Sequence, residues 1–263
     1  MTMGPKTPSM FRPRNGVDQT PLQENKALLR AVGRRGLLKG GLSLGALSML
    51  SGCTVSDASA VQSVLRSMSS WNDRVQAFLF DQNRLAPTFS VEDVVKPPRF
   101  NAFYGPEDIK PVNGENWRLE LAGSIKDKRS LALRDIYAMP EAEIIIRHIC
   151  IEGWEYIGQW SGVPLRYFLE KIEADLTAKY VEFRCADGYW GSIDMPTALH
   201  PQTLLATKYA REIVPDPFGY PLRLRTATKL GFKNPKWITS IEVTNEYRGG
   251  YWEDKGFNWF SGI

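Results

Sequence analysis

Cys150, in the run Arg147-His148-Ile149-Cys150-Ile151-Glu152-Gly153-Trp154, is the residue best placed to do chemistry. A thiolate is both a soft metal ligand and a strong nucleophile, so a cysteine between an apolar β-type run and a Gly-Trp turn suits a metal cofactor or covalent catalysis. Its strand context also fits an inert core thiol. Only His148 and His200 accompany it, which excludes a site of three imidazoles and the usual zinc spacings. His148 lies two residues away on the same strand face and reads as a structural or supporting histidine rather than a general base; His200, before Pro201, reads as structural. No Walker-type loop and no G-x-G-x-x-G is present, so phosphate binding must come from scattered basic groups. The densest set runs from Gly219 to Trp237, where Arg223, Arg225, Lys229, Lys233 and Lys236 are interrupted by Gly231 and Pro235. Folded back, such a loop faces an anion; left open, it is a solvated charged face.

Charge places the basic excess at the N-terminus. The chain has 33 Lys and Arg against 29 Asp and Glu. Eight of the basic residues and two of the acids precede or reach Cys53, leaving 25 and 27 beyond, a net charge near −2. Nothing there calls for a nucleic-acid partner. The basic segment holds Gly33-Arg34-Arg35-Gly36-Leu37-Leu38-Lys39, followed by the apolar, Gly-rich stretch Gly40 to Leu50. That stretch is too short to span a bilayer but has the length of a signal core, and the paired arginines resemble a twin-arginine export signal. Two processing sites compete. Leu50-Ser51-Gly52-Cys53 resembles a lipobox, which would leave Cys53 lipidated, and Ala58-Ser59-Ala60 fits ordinary signal peptidase. The expectation is a periplasmic protein exported folded, associated with the membrane only through a lipid anchor or a partner.

The elements that must position Cys150 follow from periodicity. Val61, Val64, Leu65, Met68, Trp71, Val75, Phe78 and Leu79 recur at helical steps and predict an amphipathic packing helix over residues 61–80. Five prolines between Pro87 and Gly114 predict an extended segment that crosses a surface and can lend isolated side chains to a site. Short β-like runs follow at Trp117–Leu121, Glu143–Cys150, Lys179–Arg184, Pro221–Arg225 and Trp237–Val243, with short helices at Leu131–Met139 and Pro164–Ile172. Strands outnumber helices without regular βα alternation, which predicts an α+β fold with mixed sheets. The boundaries expected are 1–53 for the signal segment, 54–95 for the N-terminal helix and linker, and 96–263 for the catalytic domain.

Five motifs in order resemble one family. They are Cys150-x-Glu152-x-Trp154, Trp160-x-Gly162-x-Pro164-Leu165, Leu199-His200-Pro201-x-Thr203-Leu204, Gly219-x-Pro221-x-Arg223 and Gly231-Phe232-Lys233-x-x-Lys236-Trp237. Over residues 95–245 the chain resembles the molybdopterin-binding domain of the sulfite oxidase superfamily, and within it the exported bacterial branch that includes the periplasmic methionine sulfoxide reductase catalytic subunit. The resemblance implies a mixed-sheet domain of the sulfite oxidase type and a molybdenum-molybdopterin cofactor. It implies Cys150 as the molybdenum thiolate, Arg223, Lys233 and Lys236 as basic cofactor-binding residues, and Asn101 and Tyr104 as an N-terminal contribution to the cofactor. It places Glu152 near the metal as a catalytic carboxylate and Cys185 where that branch has a cofactor-contacting threonine. Phe218 in place of an asparagine and Gly105 in place of a glutamate depart from the branch and bear on substrate more than on cofactor.

The implied activity is transfer of an oxygen atom to or from a small or protein-bound sulfoxide or sulfite-like substrate. No haem-attachment motif is present, so electrons must pass through a separate protein, a membrane haem b subunit or a cytochrome c. The length leaves no room for the haem and dimerisation domains of animal sulfite oxidase, and a minimal molybdenum domain is expected. Two rivals stand beside this reading: an exported cysteine hydrolase using Cys150 and His200, and a pterin-binding lipoprotein without turnover. Cys150 and Cys185 could also pair as a disulfide after export, which a bound metal would prevent.

Overall fold

The computed structural model describes residues 59–263, so the twin-arginine segment, the lipobox and the start of the Ala58-Ser59-Ala60 site lie outside the described residues. The chain divides into two units, residues 1–64 and 65–263. Helix α1 (Ser59–Leu79) runs across that division, and the sheets belong to the second unit.

Two five-stranded sheets make up its body. The first has the order β2-β1-β10-β5-β6, built from β1 (Arg118–Gly123), β2 (Leu131–Ala132), β5 (Tyr180–Cys185), β6 (Trp190–Asp194) and β10 (Ile238–Thr244). Only β1 and β10 run parallel, so this sheet is mixed, as the sequence pattern predicts. The second sheet is antiparallel in the order β3-β4-β7-β8, with β9 also paired to β7. Its strands are β3 (Ala142–Ile149), β4 (Glu155–Pro164), β7 (Thr203–Tyr209), β8 (Glu212–Ile213) and β9 (Arg223–Thr226). Three short helices cover the sheets: α2 (Leu133–Tyr137), α3 (Leu165–Lys171) and α4 (Met195–Ala198). In α3, Leu165, Phe168 and Leu169 sit at the i, i+3, i+4 positions that share one face, and all three are fully buried. No helix among the described residues is long and apolar enough to cross a membrane.

Strands β4 and β7 carry no strong sequence signal, because glycine and polar residues interrupt them, yet they are the buried centre of the second sheet. Gly162 explains one interruption. A Cβ there would stand 2.1 Å from the Leu205 carbonyl oxygen, so only glycine lets β4 approach β7, at the point where the register between them shifts. The extended segment before β1 does cross a surface, touching the second sheet through bridges from Thr88 to Ile146 and from Val94 to Ile157.

Helix α1 corrects one expectation. Most of its apolar residues do not pack: Leu65, Met68, Trp71, Phe78 and Leu79 are 49–87% exposed, while Val61 and Val75 are half-buried. The polar face is the one turned inward. Asp73 accepts hydrogen bonds from the Trp259 and Phe260 backbone N–H groups, at 3.1 and 2.9 Å, and Gln76 accepts from Gly262 N. The C-terminal segment offers unpaired backbone donors, and a carboxylate satisfies them where a leucine cannot.

Candidate active site

Two hairpins of the same design frame the site. At the end of β3, Cys150 N donates to Trp154 O and Gly153 N to Cys150 O, closing the three-residue loop Ile151-Glu152-Gly153. Between β5 and β6, Cys185 N donates to Tyr189 O and Gly188 N to Cys185 O, closing Ala186-Asp187-Gly188. Each loop ends on a glycine at positive φ, +86° at Gly153 and +83° at Gly188, the left-handed position such turns require. Each presents an acid at its second loop position, and both Glu152 and Asp187 line one cavity of about 350 Å³ together with Cys150. Asn101, Lys236 and the rings of Phe103, Tyr189, Trp237 and Trp252 complete most of its wall.

Local bonds fix these groups. Trp154 Nε1 donates to Glu152 Oε2 at 2.7 Å, and the Arg99 guanidinium lies 4.5 Å over the Trp154 ring. Asp187 accepts from Tyr104 Oη and from Tyr189 N, both at 3.0 Å, while Tyr189 Oη donates to Phe232 O at 2.6 Å. Burial pushes the Cys150 thiol up; the Glu152 and Ile151 backbone N–H groups and Arg99 oppose the shift, while the Glu152 carboxylate adds to it. Cys185 is pushed up further by complete burial, then by Asp187. Both cysteines are free and buried.

Behind the cavity lies a set of buried cations without carboxylate partners. Arg223 and Arg225, side by side on β9, stack over Trp160 at 4.4 and 5.1 Å. Arg223 Nη1 donates to Phe218 O at 2.6 Å, and Arg225 Nη1 meets His148 Nδ1 at 2.8 Å. Arg223 Nε and Arg225 Nε and Nη2 are buried with no hydrogen-bond partner. Lys236 donates to Asn101 O and packs between Phe100 and Trp237. Burial, followed by repulsion from Arg223, brings its pKa down to about 7. His148 is held well below its ordinary value by burial and then by Arg225, Arg223 and Lys236.

Of the residues picked from sequence, Asn101, Cys150, Glu152 and Lys236 line the cavity. Tyr104 reaches it through Asp187, and Cys185 sits at the foot of the second hairpin. Arg223 lies behind it in the cation cluster. Lys233 is elsewhere: its ammonium is buried in an ion pair with Glu253, with the Trp259 ring 5.4 Å away. His200 is taken at both ring nitrogens, Nε2 by Arg84 O at 3.1 Å and Nδ1 by the Gln202 N–H at 3.1 Å, so it does not serve Cys150 as a base. Sequence reasoning missed Asp187 and Tyr189, and gave Arg225 no role beyond membership of the basic cluster. The signal for the first two was present as a repeat, Cys150-Ile151-Glu152-Gly153-Trp154 echoed by Cys185-Ala186-Asp187-Gly188-Tyr189.

Among the described residues there is no group of three or more His, Cys, Asp and Glu that could hold a metal ion. Among the described residues Cys150 therefore has no such cluster around it, a setting that suits a metal carried by an organic cofactor.

Comparison with known proteins agrees with this chemistry. The family described as oxidoreductase molybdopterin binding domain matches residues 106–252. A relative from Azospira oryzae, carrying the name "Putative protein-methionine-sulfoxide reductase subunit YedZ1", is 49% identical over 229 residues, 87% of this chain and 87% of its own. The protein-methionine-sulfoxide reductase catalytic subunit MsrP of Campylobacter jejuni is 32% identical over 158 residues, 54% of this chain and 53% of its own, so the match spans about half the length of that relative. Among solved structures, the sulfane dehydrogenase SoxCD of Paracoccus pantotrophus aligns with a TM-score of 0.49 and 17% identity, over 52% of this chain and 40% of that one.

Proposed function

The chain belongs to the oxidoreductase molybdopterin-binding family and is an oxidoreductase that works with a molybdenum-molybdopterin cofactor, and on that premise we propose that it transfers an oxygen atom to or from a sulfoxide or sulfite-like substrate, small or exposed on a protein, after export to the periplasm. The observation that carries the reading is the cation cluster. Three buried cationic side chains without a carboxylate partner are costly, and an anionic group supplies the missing counter-charge and the acceptors that Arg223 and Arg225 lack. A soft thiol faces the adjoining cavity, so the residues present fit a phosphate-bearing cofactor with a thiophilic metal.

When bound, the cofactor supplies two-electron oxygen-atom transfer at its metal. Cys150 holds the metal, and the tight hairpin fixes where its sulfur points. Lys236 and Arg223 hold the anionic end, the ammonium as a point charge and the guanidinium as a planar donor. Asn101 and, through Asp187, Tyr104 fix the N-terminal segment against the cofactor. Glu152 is exposed at the cavity and anchored by Trp154, so it can pass a proton between solvent and substrate oxygen. The aromatic wall limits water.

Electrons come from or go to a separate protein, a membrane haem b subunit or a cytochrome c. The naming of the relatives as methionine sulfoxide reductase subunits supports a sulfoxide as substrate. Elemental analysis with electron paramagnetic resonance of the purified protein tests the proposal. About one molybdenum per chain, with a signal that responds to a sulfoxide or to sulfite, is expected. Turnover of such substrates by metal-free protein would overturn it.

A further inference from the structure

We propose that the outward stripe of α1, from Leu65 to Leu79, seats in the headgroup region of an anionic phospholipid bilayer. A helix at the surface of a globular body ordinarily buries its apolar stripe and offers its polar face to water. Here the arrangement is reversed. Asp73, Gln76 and the Ser69 carbonyl, which accept from residues 258–262, spend the polar face on the body. Leu65, Met68, Trp71, Phe78 and Leu79 are left outward, too large a set to be scattered single exposures.

Two features select a lipid surface over other occupants. The first is charge. Between residues 65 and 79 the charged residues are Arg66, Asp73 and Arg74, and the one acid is turned into the body, so the exposed charges are both positive and complement anionic headgroups. The second is reach. Cys53, the cysteine of the lipobox-like Leu50-Ser51-Gly52-Cys53, precedes Leu65 by twelve positions, so a lipid on that thiol would hold the stripe within about 40 Å of the bilayer even with the chain fully extended. A single lipid chain anchors weakly, and stable attachment takes a second contact; the stripe supplies it. Trp71 is an aromatic type that favours the interface, and Phe78 and the leucines suit the apolar face that enters it.

Asn258, which donates to Ser69 O, follows directly on Phe257 of the cavity wall, so the helix that carries the stripe is tied to the segment that lines the cavity.

The test is co-sedimentation of the cofactor-loaded protein with vesicles of phosphatidylethanolamine and phosphatidylglycerol. The comparison is between the parent, Trp71→Glu with Phe78→Glu, and Ser70→Glu as a charge control off the stripe. The double variant is expected to bind at least about tenfold more weakly, Ser70→Glu to bind nearly as the parent, and parental binding to fall in vesicles of phosphatidylcholine alone. Equal binding by parent and double variant overturns the proposal. Two other results also overturn it in favour of a different occupant. A parental dimer without lipid that the double variant dissolves means a second copy, and loss of binding only to native membranes, never to pure lipid, means a protein partner. Molybdenum content and turnover with an artificial donor, read on the same samples, report on the proposed function separately.

Discussion

Replacing Lys236 by methionine should move the stability of the cofactor-free and cofactor-loaded protein in opposite directions. In the cofactor-free protein the ammonium is buried with no ion-pair partner, and burial and Arg223, which Asp187 offsets only in part, bring its pKa from 10.5 down to about 7. Holding that charge in place at pH 6 costs on the order of 5 kcal/mol. Methionine removes the cost, fills similar volume, and leaves the Asn101 carbonyl without its donor, a loss of ~1–3 kcal/mol. The net gain is on the order of 2–4 kcal/mol at pH 6. Its pH dependence has a definite sign. The folded lysine gives up its proton near 7 and the unfolded one near 10.5, so between those values the unfolded chain binds more protons and wild-type stability rises with pH. The advantage of the variant is therefore full below pH 7 and shrinks toward pH 10. In the loaded protein the anionic cofactor provides the counter-charge, and the same substitution removes a charge-assisted contact contributing ~1.5–3 kcal/mol, or about 10- to 150-fold in retention. Urea unfolding of both forms at pH 6 and 9, with molybdenum content after dialysis, measures all of it. If the variant destabilises the cofactor-free protein at pH 6, or retains cofactor as the parent does, the reasoning fails.

Cys150→Ser should fold as the parent and lose turnover with an artificial donor together with the metal–thiolate signature, because serine is close in size but a harder and far less acidic ligand; near-parental activity would refute the assignment. Gly231→Ala would place a Cβ 2.7 Å from His148 Nε2, pushing the imidazole off Arg225, and should cost ~1–3 kcal/mol in denaturant unfolding with a matching fall in cofactor content. Asp73→Ala leaves the Trp259 and Phe260 N–H groups without their acceptor and should raise amide exchange at both by tenfold or more while sparing β7. Arg34→Lys with Arg35→Lys should leave a folded, cofactor-loaded precursor in the cytoplasm, which fractionation with a molybdenum assay reads directly.

The sequence by itself determined what local physics controls. Alternating and apolar runs marked β1, β3, β5, β9 and β10 to within a residue or two, and i, i+3, i+4 spacing marked α1 and α3, because these patterns act within a few residues. The Cys150 motif was legible for the same reason, its chemistry residing in neighbours along the chain. Other features are long-range and needed the tertiary structure. The central strands β4 and β7 are stabilised by burial on both sides rather than by their own composition. The direction in which α1 faces was decided by unpaired backbone donors some 185 residues further on, at Trp259 and Phe260. The basic loop looked uniform in sequence, yet folding sorts it by partner: Lys229 and Lys233 find Asp194 and Glu253 in the interior, while Arg223, Arg225 and Lys236 find none. Which cation is left for an anion depends on where the carboxylates of distant segments come to rest, and no window of sequence contains that.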